Sequence, residues 1–132
     1  MKKARLIFSA VSLALISTLP SCAHPGSQAR KVDHCVFVWL KKSGNKADRA
    51  RLIEAARKFE REIPEIEHLA VGQMLPSTRP IVDSTFDVAF IMRFASKDAM
   101  DRYEQHPVHQ AAVRDILLPL SKKVQVYDLV VE

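Results

Sequence analysis

The stretch Val32-Asp33-His34-Cys35-Val36-Phe37-Val38-Trp39-Leu40-Lys41 decides how the rest of the chain is read. Its β-branched and aromatic content favours an extended strand, in which successive side chains point to opposite faces. Val36, Val38 and Leu40 then share one face, and Cys35, Phe37 and Trp39 the other. A strand that is apolar on both faces has to be covered on both. Helices of the same domain can supply one cover. A second copy of the chain is the natural candidate for the other.

The remainder of the chain supplies the helices and three further strands. Ser43-Gly44-Asn45 breaks the first strand, and Ser43 or Asn45 can cap a helix over Lys46 to Glu62. Leu52, Ala56, Phe59 and Ile63 recur there at helical spacing, and Pro64 closes the helix. Glu67 to Leu75 reads as a second strand with Gly72 at a bulge. A polar loop over 76–85 leads to a third strand, Phe86 to Phe94. Phe86, Val88, Phe90, Met92 and Phe94 lie on one of its faces, Ala89 and Ile91 on the other. Ser96 caps a second helix that runs to about His106; Pro107 suits the first turn of a third, which Pro119 ends. Val124 to Val131 makes the last strand. The order is the ferredoxin-like βαββαβ plan, an α+β fold with a four-stranded antiparallel sheet and helices on one face. Two such sheets face to face make an eight-stranded α/β barrel across a homodimer.

The first 21 residues read as a signal peptide of the lipoprotein type. Lys2, Lys3 and Arg5 precede an apolar run from Leu6 to Leu19, which is short of the ~20 residues that span a bilayer. Leu19-Pro20-Ser21-Cys22 resembles a bacterial lipobox, with Cys22 as the lipidated residue. The rival reading is cleavage after Ala23 and free secretion. Residues 22–31 then form a tether, and 32–132 the domain. Removing the signal peptide lowers the basic residues from 20 to 17 against 15 acids, so the mature charge is about +2 rather than +5. That is too mild for a nucleic-acid partner, which needs a concentrated basic face. Membrane attachment is expected from acyl chains on Cys22, and a periplasmic location follows. With Cys22 acylated, Cys35 has no disulfide partner and is expected to be buried.

Chemistry concentrates in Met100-Asp101-Arg102-Tyr103-Glu104-Gln105-His106-Pro107-Val108-His109, across the break between two helices. An imidazole titrates near neutral pH, so His109 can take a proton beside a carbonyl, and the Tyr103 hydroxyl can donate to the oxygen where charge develops. The plainer alternatives are His106 as a helix cap, His109 bonded to a backbone carbonyl, and Tyr103 as a core residue. His34, His106 and His109 could together hold zinc, but no carboxylate or thiolate accompanies them at a recognisable spacing, and no metal is expected. Gly26, Gly44 and Gly72 are too scattered for a glycine-rich phosphate loop or dinucleotide fingerprint, and no cofactor is expected.

Three pieces of the chain resemble the stress-responsive A/B barrel (Dabb) domain family. They are Val32-Asp33-His34-Cys35-Val36-Phe37, Phe86-Asp87-Val88-Ala89 leading to Phe94, and Tyr103-x-x-His106-Pro107-x-His109. Val126-Tyr127-Asp128 is similar to the family's closing strand, so the resemblance spans Val32 to Val131. It implies a dimeric ferredoxin-like barrel. Relatives of the fold include metal-free monooxygenases, and one similar branch comprises plant polyketide cyclases. That branch implies a tyrosine and a histidine acting in a pocket at the places of Tyr103 and His109, with the histidine at the place of His34 nearby. A further pocket histidine of that branch falls at Val88 here. The resulting expectation is an exported, stress-related module that binds a small apolar or aromatic molecule near His34, Tyr103, His106 and His109. The alternative is a cofactor-independent enzyme, cyclase-like or monooxygenase-like, in which Tyr103 and His109 transfer protons.

Overall fold

The computed structural model describes residues 30–132. Strand β1 (Val32–Leu40) runs inside a four-stranded sheet. It pairs antiparallel with β3 (Val88–Phe94) on one side and with β4 (Ser121–Val130) on the other. β2 (Ile66–Gly72) lies outside β3, so the spatial order is β2-β3-β1-β4. The signal peptide, Cys22 and most of the tether lie outside the described residues.

The two-faced character of β1 is visible residue by residue. Val32, His34, Val36, Val38 and Leu40 are buried, whereas Asp33, Cys35, Phe37 and Trp39 are half-buried. Val88, Phe90, Met92 and Phe94 of β3 line up on the buried face with Leu69 of β2. Helix α1 (Lys46–Glu62) covers that face with Leu52, Ala56 and Phe59, and its C-cap Ile63 adds to the core. Helix α2 (Lys97–Gln105) adds Ala99, Met100 and Tyr103. The caps are those expected: the Asn45 side chain accepts from the amides of Ala47 and Asp48, and Ser96 accepts from Ala99. Among the described residues no helix is long and apolar enough to cross a membrane.

Asp87 ties the front of this assembly together. Its carboxylate accepts from the Leu40 amide at 2.8 Å, the Gly44 amide at 2.6 Å and the Ser43 hydroxyl at 3.2 Å. Gly44 has φ of 76°, a left-handed conformation that glycine adopts without a Cβ penalty. Burial works to raise the Asp87 pKa, but the three donated bonds outweigh it and hold the carboxyl below its ordinary range.

Several boundaries differ from the expectation. The irregularity in β2 falls between Ile66 and His68, where the register shifts against β3, and Gly72 ends the strand instead of bulging it. Phe86 does not join Val88 on the buried face. Asp87 turns into its clamp and breaks the alternation, so Phe86 packs against Phe37 and Trp39, with ring centroids 5.2 and 6.4 Å apart. Pro119 does not end the third helix. Helix α3 (Pro107–Ala112) continues through a π-helical stretch, Val113–Leu117, and a last turn α4 (Leu118–Leu120). A proline ring in a regular α-helix collides with the carbonyl four residues before it, and the widened turn just ahead of Pro119 relieves that clash. The final carbonyls are satisfied from β1's end: the Lys41 ammonium donates to Pro119 at 2.7 Å and the Lys41 amide to Leu120 at 2.9 Å. β4 can therefore start at Ser121, three residues earlier than its apolar pattern indicates.

Among the described residues no helix covers the other face of the sheet. Phe37, Trp39, Phe86 and Tyr127 form an aromatic cluster there, beside Ile91 and Leu129, which are 41% and 53% exposed. Cys35 is half-buried among them, and desolvation pushes its thiol pKa up.

Candidate functional site

Between the helices and the buried face of the sheet lies a cavity of about 220 Å³. An apolar cavity of about 150 Å³ suffices for benzene, so this one has room for a substituted ring. Its walls are mostly aliphatic and aromatic: β1 supplies Val36, α1 Leu52 and Phe59, and β4 Val124 and Val126. The π-helical stretch forms one wall through Val113, Ile116 and Leu117. A π turn places an extra residue in the helix, and such turns recur at functional sites. Among the described residues that line it, only His34, Tyr103, Glu104 and His109 are polar.

Three of those four meet ring to ring. The Tyr103 ring is centred 5.9 Å from that of His34 and 4.4 Å from that of His109. Phe94 and Phe59 brace the tyrosine at 5.0 and 5.9 Å. Local structure accounts for the meeting. Tyr103 sits on the buried side of α2, the extended backbone at His106 breaks the helix, and α3 then returns His109 over the ring.

Each imidazole is held through Nδ1. Asp128 stands opposite His34 on β4, and His34 Nδ1 lies 2.6 Å from its carboxylate. His109 Nδ1 is 2.9 Å from the Glu104 carbonyl, which can only accept, so Nδ1 carries the proton. That bond also satisfies a carbonyl in the last turn of α2, which has no helical partner. Donation from Nδ1 leaves Nε2 of each neutral ring as a lone-pair acceptor. Among the described residues neither Nε2 nor the Tyr103 hydroxyl has a hydrogen-bond partner. Nor are they among the sealed, unpartnered side-chain atoms, which are Arg49 Nε, Glu65 Oε2 and Ser84 Oγ. All three side chains line the cavity.

Burial sets the protonation states. Desolvation lowers the His109 pKa, against a smaller upward pull from the Glu104 carbonyl, and keeps the ring neutral at pH 7. Burial pushes the Tyr103 phenol well above its ordinary value of 10.0, so it remains a donor. The site offers a hydroxyl donor on Tyr103 and an imidazole acceptor on His109, with the His34 ring beside them, inside an apolar wall.

His106, expected at the ligand with the other two, is placed elsewhere. It does not line the cavity; its Nδ1 accepts the Val108 amide at 3.3 Å and caps α3. The helix break fixes this, because the residue before Pro107 is extended and turns its ring toward the new helix start. Among the described residues no three histidines, cysteines or carboxylates lie together so as to hold a metal ion. Val88 is fully buried in the core and does not line the cavity. Sequence reasoning missed Asp128 as the partner of His34, and Phe59 and the π-helical wall as lining. Asp128 lies 94 residues from His34, and only the β1–β4 register brings them together.

The comparisons with known proteins agree with this architecture. The stress responsive A/B barrel domain (Dabb) family model matches residues 32–131. A Dabb family protein with a ferredoxin-like fold from Mesorhizobium loti is 28% identical, with a TM-score of 0.65 over 78% of this chain and 98% of that one. A dimeric ferredoxin-like protein of unknown function from Thermobifida fusca is 21% identical, with a TM-score of 0.65 over 79% and 93%. Hydroxynitrile lyase from Passiflora edulis is 17% identical, with a TM-score of 0.69 over 78% and 94%. No curated protein matches the sequence. The fold is ferredoxin-like, and the chain belongs to the stress responsive A/B barrel domain family.

Proposed function

We propose that the domain binds a small, largely apolar molecule carrying an oxygen function, in the cavity between sheet and helices, and does so as an exported homodimer. One observation carries the binding reading. Tyr103 is only 1% exposed and lines an apolar cavity, yet its hydroxyl has no partner among the described residues. A buried hydroxyl left unmade costs about 1–3 kcal/mol, so a ligand atom is its natural acceptor. A substitution that fills the space, Ala112→Phe, tests this by calorimetric titration with small aromatic compounds. Binding is expected to vanish while the melting temperature stays within a few degrees. Unchanged binding in that variant would place the ligand elsewhere.

The homodimer is supported by the uncovered aromatic face and by solved neighbours that are dimeric. Ile91→Lys, in the middle of that face, is expected to leave monomers in sedimentation velocity. Export with a lipid anchor on Cys22 is supported by the basic, apolar and lipobox-like order of residues 1–22. Labelled palmitate should enter the wild-type chain and not Cys22→Ser.

A second reading, proton-transfer catalysis without a cofactor, is favoured by the two imidazoles held through Nδ1 with Nε2 free beside the Tyr103 hydroxyl. The fold carries a hydroxynitrile lyase in Passiflora edulis. In this reading His109→Ala abolishes turnover and retains ligand affinity. Under binding alone, the same variant changes only affinity or folding.

A further inference from the structure

We infer that the cavity selects neutral ligands that can give a proton, namely phenols and enols, over carboxylates and over ethers of the same shape. The inference rests on the reading that this cavity is a binding site, and it names the class of ligand.

The donors and acceptors left free in the cavity decide the class of ligand. Both Nδ1 atoms are committed, His34 to Asp128 and His109 to Glu104. What remains for a ligand is one donor, the Tyr103 hydroxyl, and one acceptor, the His109 Nε2. A ligand oxygen that bears a proton satisfies both kinds at once. It accepts from Tyr103 and donates to an imidazole, and the tyrosine ring touches both imidazole rings. A ligand with an acceptor only, such as an ether, satisfies Tyr103 and leaves that nitrogen unpaired in a dry site. Unpaired groups of that kind are what allow a polar pocket to reject an analogue lacking one hydroxyl.

Charge excludes the carboxylates. Among the described residues no lysine or arginine lines the cavity, and the one acid that does, Glu104, is of the wrong sign. An anion brought in would lose its hydration without gaining a counter-ion. Desolvation keeps His109 neutral at pH 7, so its imidazole does not supply the missing cation. The lining that remains is apolar and suits a ring or short hydrocarbon body.

Three probes of similar size separate the possibilities: 4-methylphenol, its methyl ether and 4-methylbenzoate. They are titrated at pH 7.5 into protein produced from the full-length sequence. The phenol is expected to bind about tenfold more tightly than the ether, and the benzoate more weakly than either. In Tyr103→Phe both probes lose the bond from the tyrosine and should bind more weakly, while the phenol keeps its advantage over the ether, because that advantage comes from its donation to an imidazole. Equal affinity for phenol and ether, or benzoate as the tightest of the three, would overturn the inference and leave the cavity standing as a binding site. Binding of none of the three would remove the binding reading itself.

Discussion

His34 and Asp128 face each other across β1 and β4, and the imidazole Nδ1 lies 2.6 Å from the carboxylate. The histidine is buried while its partner's side chain is 47% exposed, so the pair joins the cavity to the surface at the edge strand. A carboxylate in this place fixes which nitrogen holds the proton and which way the ring faces. Asp128→Ala should leave the melting temperature nearly unchanged, because half of the lost carboxylate was already in water. Ligand affinity or turnover should fall by about tenfold or more, since partners that orient a functional imidazole are typically worth 10–100-fold. Nitrogen-15 spectra of the His34 ring would show mixed tautomers in the variant and a single Nδ1–H form in the wild type.

Tyr103 separates stability from function. Tyr103→Phe removes a hydroxyl that has no partner among the described residues, so the ligand-free protein should lose no stability in denaturant unfolding and gain up to about 1–3 kcal/mol. Tyr103→Ala removes the ring that Phe94, Phe59 and His109 pack against and should cost about 3–5 kcal/mol. Only the first variant is expected to be fully folded and weak in binding.

His109 makes stability depend on pH with a definite sign. Its folded-state pKa is lowered from 6.5, chiefly by desolvation, so on acidification the unfolded chain takes up the proton first. Stability contributed by the neutral ring is complete above about pH 7 and declines as pH falls through the unfolded value. It levels off once the folded-state pKa is passed. Urea midpoints at pH 7.5 and 5.5 should differ more in the wild type than in His109→Gln. Equal differences would show that the ring is not desolvated in solution.

Asp87 is the position where a single substitution should do most damage outside the cavity. Asp87→Ala deprives the amides of Leu40 and Gly44 and the hydroxyl of Ser43 of their acceptor. Loss of about 2–4 kcal/mol is expected in equilibrium unfolding. Asp87→Asn should recover part of it, since the amide oxygen can still accept from one of the backbone donors.

The fold was legible in the sequence because its signals are local. The alternation from Val32 to Leu40, the caps at Asn45 and Ser96, and the break at His106-Pro107 each act within a few residues. Local patterns mislead where distant groups compete with them. Phe86 leaves the buried face because Asp87 is drawn to amides more than 40 residues away. Pro119 fails to stop its helix because the preceding turn widens and Lys41 takes up the last carbonyls. The site shows the same division. Tyr103 and His109 stand out through their spacing around one proline, but Asp128 depends on strand register, which no local pattern reports.

The π-helical stretch gives the cavity two separate controls. Its polar atoms come from β1, α2 and α3, whereas one of its walls comes from Val113–Leu117. Deleting one residue there would return the helix to regular winding, rotating that wall by about a quarter turn while leaving His34, Tyr103 and His109 in place. The size of molecule admitted can therefore drift in descendants of this sequence while the proton-handling groups remain constant. A lineage built on this scaffold can change what it recognises by gaining or losing a single residue in that wall, with no change to the groups that handle the proton.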